Sequence, residues 1–401
     1  MKILFLTISF SEKNHISFYE ELLQEFINKG HDVYVACASE KRKGVETHVL
    51  KERNINILRI KTGNITGNIS IFEKGISTLL IDILFKNAIK KYYKNEKFDL
   101  VLYPTPPITL VNTVKWLKNK KGVKTYLLLK DIFPQNAVDL GMLSKKGVKS
   151  PLYYMFREKE KKLYEISDYI GCMSQANVDY VIENNKNISK EKIEVCPNSV
   201  KPLQFEKDKS VRERYGISND KVTFIYGGNL GKPQGIDFIK ECLNKCKDIE
   251  KAYFLIIGGG SEAKSIKSFI NKNKIGNVKY IETLPKDEYE KLAGNCDVGL
   301  VFLDYRFTIP NFPSRILSYM QTSIPVLAAT DSTTDMGKII EENNFGWWCE
   351  SNDVKVFYEC VEKAIKSNRL EMGKNARKYL EKYYDVKCSY KIIMKHFISN
   401  N

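Results

Sequence analysis

The chain has 401 residues, 43% hydrophobic and 28% charged, which is too long for one compact core and suits two domains of ordinary size. This balance excludes a disordered or fibrous chain. The net charge of +16, from 64 Lys+Arg against 48 Asp+Glu, leaves open two kinds of anionic partner, a lipid surface or nucleic-acid phosphates.

The nine cysteines are odd in number and form no C-x-x-C pair, which argues against a disulfide framework and for the cytosol. The longest apolar runs, such as Phe254-Leu255-Ile256-Ile257, are strand-sized and far short of the roughly 20 residues of a bilayer crossing.

In chain order, the run 2–8 stops before Ser11-Glu12-Lys13-Asn14-His15 with no small-residue cleavage pattern. It therefore reads as a first buried strand rather than a secretion signal. Phe18, Leu22, Leu23, Phe26 and Ile27 recur at helical spacing over 17–29, and Gly30 closes that helix. Further strands are expected at 32–38, 55–61, 100–103, 124–129, 169–173 and 193–196. Lysines gather between them, as Lys86, Lys90, Lys91 and Lys94, as Lys115, Lys118, Lys120 and Lys121, and as Lys145, Lys146 and Lys149. These clusters suit either an anionic membrane surface or a solvated face. After 196–202, a Pro-rich polar stretch read as a linker, a second series is expected at 221–226, 253–257, 278–281, 298–302 and 326–329. Strands alternating with amphipathic helices signal parallel α/β architecture. The domain reading is 1–202, 203–375, and a final segment 376–401 that could cross back to the first domain.

In open parallel sheets ligands bind beyond the carboxyl ends of strands, so chemistry is expected in the loops there. Tyr226-Gly227-Gly228-Asn229-Leu230-Gly231-Lys232-Pro233-Gln234-Gly235 lies between a strand and a helix, and its glycines let backbone N–H groups approach an anion. The same stretch could be only a tight turn. Gly258-Gly259-Gly260-Ser261-Glu262 does not satisfy G-x-G-x-x-G, and Glu262 suits sugar or ribose hydroxyls better than a pyrophosphate. Alternatively it is a turn with Ser261 capping the next helix. At Pro313-Ser314-Arg315, Ser314 reads as an N-cap. Arg315 then sits in a first helical turn that disfavours cations, which points to an anionic partner gripped bidentately or to a surface salt bridge. In the first half, Asp131 ends a buried strand, and His15 lies on the first strand-to-helix loop. H-E-x-x-H, G-x-S-x-G, Walker A and Asp-x-Asp patterns are absent, and no RNP-like nucleic-acid motif occurs.

The order of these segments resembles family 4 retaining glycosyltransferases of GT-B type, and among them the bacterial capsule and O-antigen enzymes similar to fucosamine transferases. The matching residues are Lys29-Gly30-His31-Asp32-Val33, Asp131-Ile132-Phe133-Pro134, Ser167-Asp168-Tyr169-Ile170, Met173-Ser174, Pro197-Asn198, Gly228-Asn229-Leu230, Gly258–Gly260, Pro313-Ser314-Arg315 and Pro325-Val326. The resemblance implies two Rossmann-like domains facing a central cleft, with a UDP-type sugar bound by the C-terminal one and a lipid-linked saccharide acceptor by the other. It implies transfer with retention and no metal cofactor, at the cytoplasmic face of a membrane.

Two departures stand out. Asn229 and Gln234 occupy places where the family has Arg and Lys, and Pro310 and Ser318 occupy the places of its two glutamates. Under this reading Arg315, Asp131 and His15 are catalytic. The donor is held by Gly228, Asn229, Lys232, Gln234, Gly259, Glu262, Leu284, Pro313, Ser314 and Ser318. An epimerase or hydrolase of the same fold, and a basic nucleic-acid-binding protein, remain as alternatives.

Overall fold

The computed structural model describes residues 1–11, 17–65, 71–120 and 122–397. The chain divides into two compact units. The first is Met1–Ser199 together with the segment from Ser389 onward, and the second is Val200–Cys388.

The strands of the first unit are β1 (Lys2–Thr7), β2 (Asp32–Glu40), β3 (His48–Glu52), β4 (Ile55–Thr62), β5 (Leu100–Thr105), β6 (Lys124–Leu129), β7 (Tyr169–Cys172) and β8 (Ile193–Val195). They form one sheet in the order β3-β4-β2-β1-β5-β6-β7-β8, parallel except for β3, which runs antiparallel to β4. β1 and β5 are central and continuously apolar, as strands covered by helices on both faces must be. Helix Phe18–Asn28 between β1 and β2 opens with a capping box. The Ser17 hydroxyl accepts from Glu20 N–H, and the Glu20 carboxylate accepts from Ser17 N–H.

In the second unit β9 (Val222–Gly227), β10 (Ala252–Ile257), β11 (Val278–Ile281), β12 (Val298–Phe302), β13 (Val326–Thr330) and β14 (Gly346–Glu350) make an all-parallel sheet in the order β11-β10-β9-β12-β13-β14. Its order reverses beside β9. β9 is the first strand of the unit, with β10 on one side and β12 on the other, and this is the switch point at which such sheets bind ligands. Each unit has its own apolar core.

Two strands departed from expectation. β3 lies at an edge with a half-exposed alternating pattern, and β14 is a short Gly-Trp-Trp-Cys-Glu run at the opposite edge of the second sheet. The final segment is also divided. Helix Arg369–Tyr383 belongs to the second unit, and Val386–Met394 carries the chain out of it. Beyond Ser389 the chain packs on the first sheet, where the Tyr390 hydroxyl meets His31 Nε2 at 2.9 Å and His396 Nε2 meets Glu194 at 2.8 Å.

Candidate donor and acceptor sites

The loops after β9 and β10 are joined by their backbones. Gly228 N–H donates to Ile257 O (2.9 Å), Leu230 N–H to Gly259 O (2.8 Å) and Glu262 N–H to Leu230 O (3.0 Å), so the parallel pairing continues past both strand ends. Only glycine allows this approach. At Gly258, φ is +147° and a Cβ would stand 1.8 Å from Gly228 O; at Gly260 it would stand 2.3 Å from Leu230 O. Gly228, Asn229 and Gly259 are left exposed on one rim, with Glu262 half-buried beside them.

The rest of the first loop is a 3-10 turn, Lys232–Gln234, leading into helix Ile236–Lys245. Gln234 Oε1 accepts from Gly231 N–H at 3.1 Å and lies 3.5 Å from Asn229 Nδ2, so its amide shapes the turn. Lys232 is exposed at the start of that turn.

Arg315 reaches the same rim from helix Arg315–Gln321. Its guanidinium carbon lies 4.1 Å from the centre of the Tyr226 ring, within cation–π range. A Cβ on Gly228 would stand 2.2 Å from Arg315 Nη2. The sequence therefore brings Gly228, Asn229, Gln234, Gly259, Glu262 and Arg315 to one place. Three tyrosines support it. The Tyr226 hydroxyl donates to Asn229 O at 2.7 Å. The Tyr289 ring occupies the space beside Gly227 that a side chain would need. The Tyr289 hydroxyl lies 3.5 Å from that of Tyr319, which bonds Ile225 O and Leu300 O at 3.1 Å each. Burial holds all three phenols above their ordinary range, so they act here as neutral rings and donors.

Ser314 departs from its expected role. Its backbone is already α-helical (φ −62°, ψ −12°), and its side chain makes no capping bond. Ile316 N–H reaches back to Pro313 O (3.3 Å), so the helical turn begins earlier. Ser261 is not a cap either: the residue before helix Ala263–Lys272 is Glu262, which makes no capping bond through its side chain. Ser318 stands one turn after Arg315, half-buried, and Leu284 lies half-buried in the loop after β11.

Sequence reasoning did not single out the tyrosines or Arg306. The latter forms a two-point pair with Asp304 (Nε–Oδ1 2.8 Å, Nη2–Oδ2 2.7 Å), and Asp304 N–H holds Pro233 O at 2.9 Å. A cation four residues past β12, the strand next to β9, is the available signal.

In the first unit Asp131 lies just past β6, where the Thr105 hydroxyl donates to its carbonyl (3.2 Å) and accepts from Lys130 N–H (3.2 Å). Loss of water around the carboxyl pushes its pKa up to about 6. The same cause lowers the neighbouring Lys130 to about 8, with its ammonium donating to Cys196 O at 2.9 Å. His15 lies outside the described residues. Among the described residues no three His, Cys, Asp or Glu side chains converge as a metal site.

The comparisons with known proteins divide as the fold does. Residues 17–202 match the Glycosyltransferase Family 4 model and residues 207–379 the Glycosyl transferases group 1 model. The chain is 26% identical over 319 residues to "Probable glycosyltransferase WbjE" of Pseudomonas aeruginosa, covering 78% of this chain and 77% of that one. Among solved structures it is similar to Anabaena HepE in complex with UDP and glucose (TM-score 0.69, 16% identity, 99% of each chain). It is also similar to WaaG, a glycosyltransferase involved in lipopolysaccharide biosynthesis (TM-score 0.66, 12% identity, 100% of each chain).

Proposed function

The chain is a GT-B glycosyltransferase with a family 4 N-terminal half and a group 1 C-terminal half, and from that premise we propose its donor, acceptor and chemistry. It moves a sugar, an N-acetylamino sugar in our reading, from a UDP-type nucleotide donor to a hydroxyl of a lipid-linked saccharide. The setting is bacterial capsule or O-antigen assembly, at the cytoplasmic face of a membrane. The observation that carries this is the Arg315 guanidinium held over Tyr226 where the two glycine loops meet. A fixed cation beside bare backbone at the switch point suits a diphosphate. A family neighbour of known fold holding UDP and glucose supports the nucleotide. The WaaG likeness supports the surface-polysaccharide setting.

In the reaction the bond between the anomeric carbon and the donor phosphate breaks. A bond from that carbon to the acceptor oxygen forms on the same face, and the acceptor proton passes to the departing phosphate. The products are the nucleoside diphosphate and the glycosylated acceptor. Arg315, with Lys232 and the backbone N–H groups of Asn229 and Gly259, stabilises the negative charge that grows on the leaving group, so side chains supply the cations. Glu262 accepts from donor hydroxyls. Asp131, ionised above about pH 6, orients the acceptor hydroxyl.

The test offers a mass-tagged UDP-sugar with a lipid-linked acceptor. Transfer is expected from the wild type, with a loss of roughly 10²–10³-fold in Arg315→Ala. Unchanged turnover in that variant removes Arg315 from the reaction. Consumption of donor without any acceptor would favour a hydrolase.

A further inference from the structure

Three strand ends of the first unit stand level. Leu129 of β6 pairs in register with Cys172 of β7, and Cys172 with Val195 of β8, so Lys130, Met173 and Cys196 follow side by side beyond them. Lys130 does not stay over its own strand. Its side chain crosses the end of β7 and donates to Cys196 O at 2.9 Å, two strand spacings away, or ~10 Å.

The ammonium is poorly compensated there. It has three N–H donors, of which Cys196 O takes one, and no carboxylate among the described residues acts on it. The titratable groups that do act on it are the thiols of Cys172 and Cys196, which burial keeps protonated. Glu194 lies near the same thiols, but its oxygens are taken by the Tyr126 hydroxyl (2.9 Å), His396 Nε2 (2.8 Å) and the Lys395 ammonium (2.5 Å). Asp131, the next residue in the chain, turns the other way, and its carboxyl acts on Tyr19 of helix Phe18–Asn28. A cation that has lost its water is ordinarily paired, and pinning one carbonyl does not need a charge.

At the end of β7, which the Lys130 side chain crosses, the chain turns into helix Gln175–Asn184. The first turn of this helix holds no acidic residue, and Ser174 makes no capping bond, its hydroxyl meeting Asn177 Oδ1 at 3.1 Å instead. The positive end of the helix and the Lys130 ammonium therefore border the same strand-to-helix turn, a combination that favours a phosphate.

We propose that Lys130, with the start of helix Gln175–Asn184, holds a phosphate group of the acceptor while Asp131 orients its reacting hydroxyl. This rests on the lipid-linked acceptor proposed above. It adds that the phosphate lies close to the sugar that reacts, because the two side chains leave the backbone at adjacent residues, with Cα atoms ~3.8 Å apart.

Two acceptors test it, one saccharide prepared as a short-chain alkyl diphosphate and as a plain alkyl glycoside. The wild type is expected to prefer the diphosphate, and Lys130→Met to lower kcat/KM for it about 10–100-fold more than for the glycoside. Lys130→Arg, which keeps the charge, is expected to restore most of the preference. Equal losses for both acceptors, as a carbonyl pin alone would give, overturn the proposal, and so does a wild type without preference. A second measurement needs no turnover. With UDP saturating the donor site, pyridoxal 5′-phosphate followed by borohydride is expected to label Lys130, and the alkyl diphosphate to protect it. Absence of that label overturns the proposal. Equal protection by inorganic phosphate does so too, because the site would then serve the free ion. Should the wild type transfer to neither acceptor, the lipid-linked reading fails and the labelling still decides Lys130.

Discussion

The guanidinium of Arg315 rests 4.1 Å above the Tyr226 ring, with its Nη2 in the space that a side chain on Gly228 would occupy. Residues 89 positions apart thus share a contact that couples the end of β9 to the helix after β12. Gly228→Ala tests it directly. The obstructing atom is the far end of a flexible side chain, so Arg315 can swing away, while φ at Gly228 (+137°) is strained for alanine. Folding should persist with a loss of about 1–3 kcal/mol, and the Michaelis constant for the donor should rise about tenfold. Steady-state kinetics together with thermal unfolding would separate the two effects.

Gly258→Ala should behave differently. The new carbon would stand 1.8 Å from a backbone oxygen, Gly228 O, and no rotamer relieves that. We expect a loss of more than about 3 kcal/mol, seen as a fall in the urea midpoint or as insoluble protein.

Tyr226 supplies both a ring and a hydroxyl. Tyr226→Phe keeps the surface under Arg315 and loses the bond to Asn229 O (2.7 Å), a change of about 1 kcal/mol in stability. Tyr226→Leu removes the ring as well. Its donor affinity, read by titration calorimetry with UDP, should fall further than that of the Phe variant, by about 0.5–2 kcal/mol. Equal affinities would show that the ring does not hold Arg315.

Asp131 predicts a pH dependence. Its pKa is raised to about 6 from an ordinary 3.8 by desolvation, so ionisation is harder in the folded chain. The favourable contribution is complete below about pH 4 and is lost as pH rises through about 6. Asp131→Asn should therefore raise stability at pH 7.5 and leave it unchanged at pH 4. Two units convert to about 3 kcal/mol, and the part of the carboxyl that keeps water reduces this to roughly 1–2 kcal/mol. Transfer by the wild type should rise through pH 6 as the carboxylate forms, and the Asn variant should lose that limb together with most of its activity.

Gln234 stands where a cation is usual in the resembling family. Because its Oε1 holds Gly231 N–H, Gln234→Lys adds charge but removes the bond that shapes the turn. UDP titration should show no gain in affinity. A tenfold gain would mean that the turn tolerates the exchange.

The division into two α/β units, both series of buried strands and the two glycine loops were legible in the sequence, because periodicity and glycine placement act over a few residues. β3 and β14 were not. Both are edge strands, and the half-exposed face of β3 leaves no continuous apolar run to read. Ser314 reads as a cap in the sequence because capping residues ordinarily have extended backbone, whereas its backbone is helical and Ile316 N–H bonds Pro313 O.

The sequence by itself determined that Arg315 would sit in a helical first turn ill suited to a cation. Only the tertiary structure decided where that cation goes, because Tyr226, Tyr289 and Gly228 come from other elements of the unit, and their meeting depends on strand order and not on spacing. The same holds for the first unit. Its lysine clusters were plain in the sequence, but that Ile81 and Phe85 of helix Ile71–Tyr92 enter the core while Ile76, Leu79, Leu80 and Ile83 stay exposed was decided by the fold, since hydropathy along a chain does not say which side of a helix the core will take.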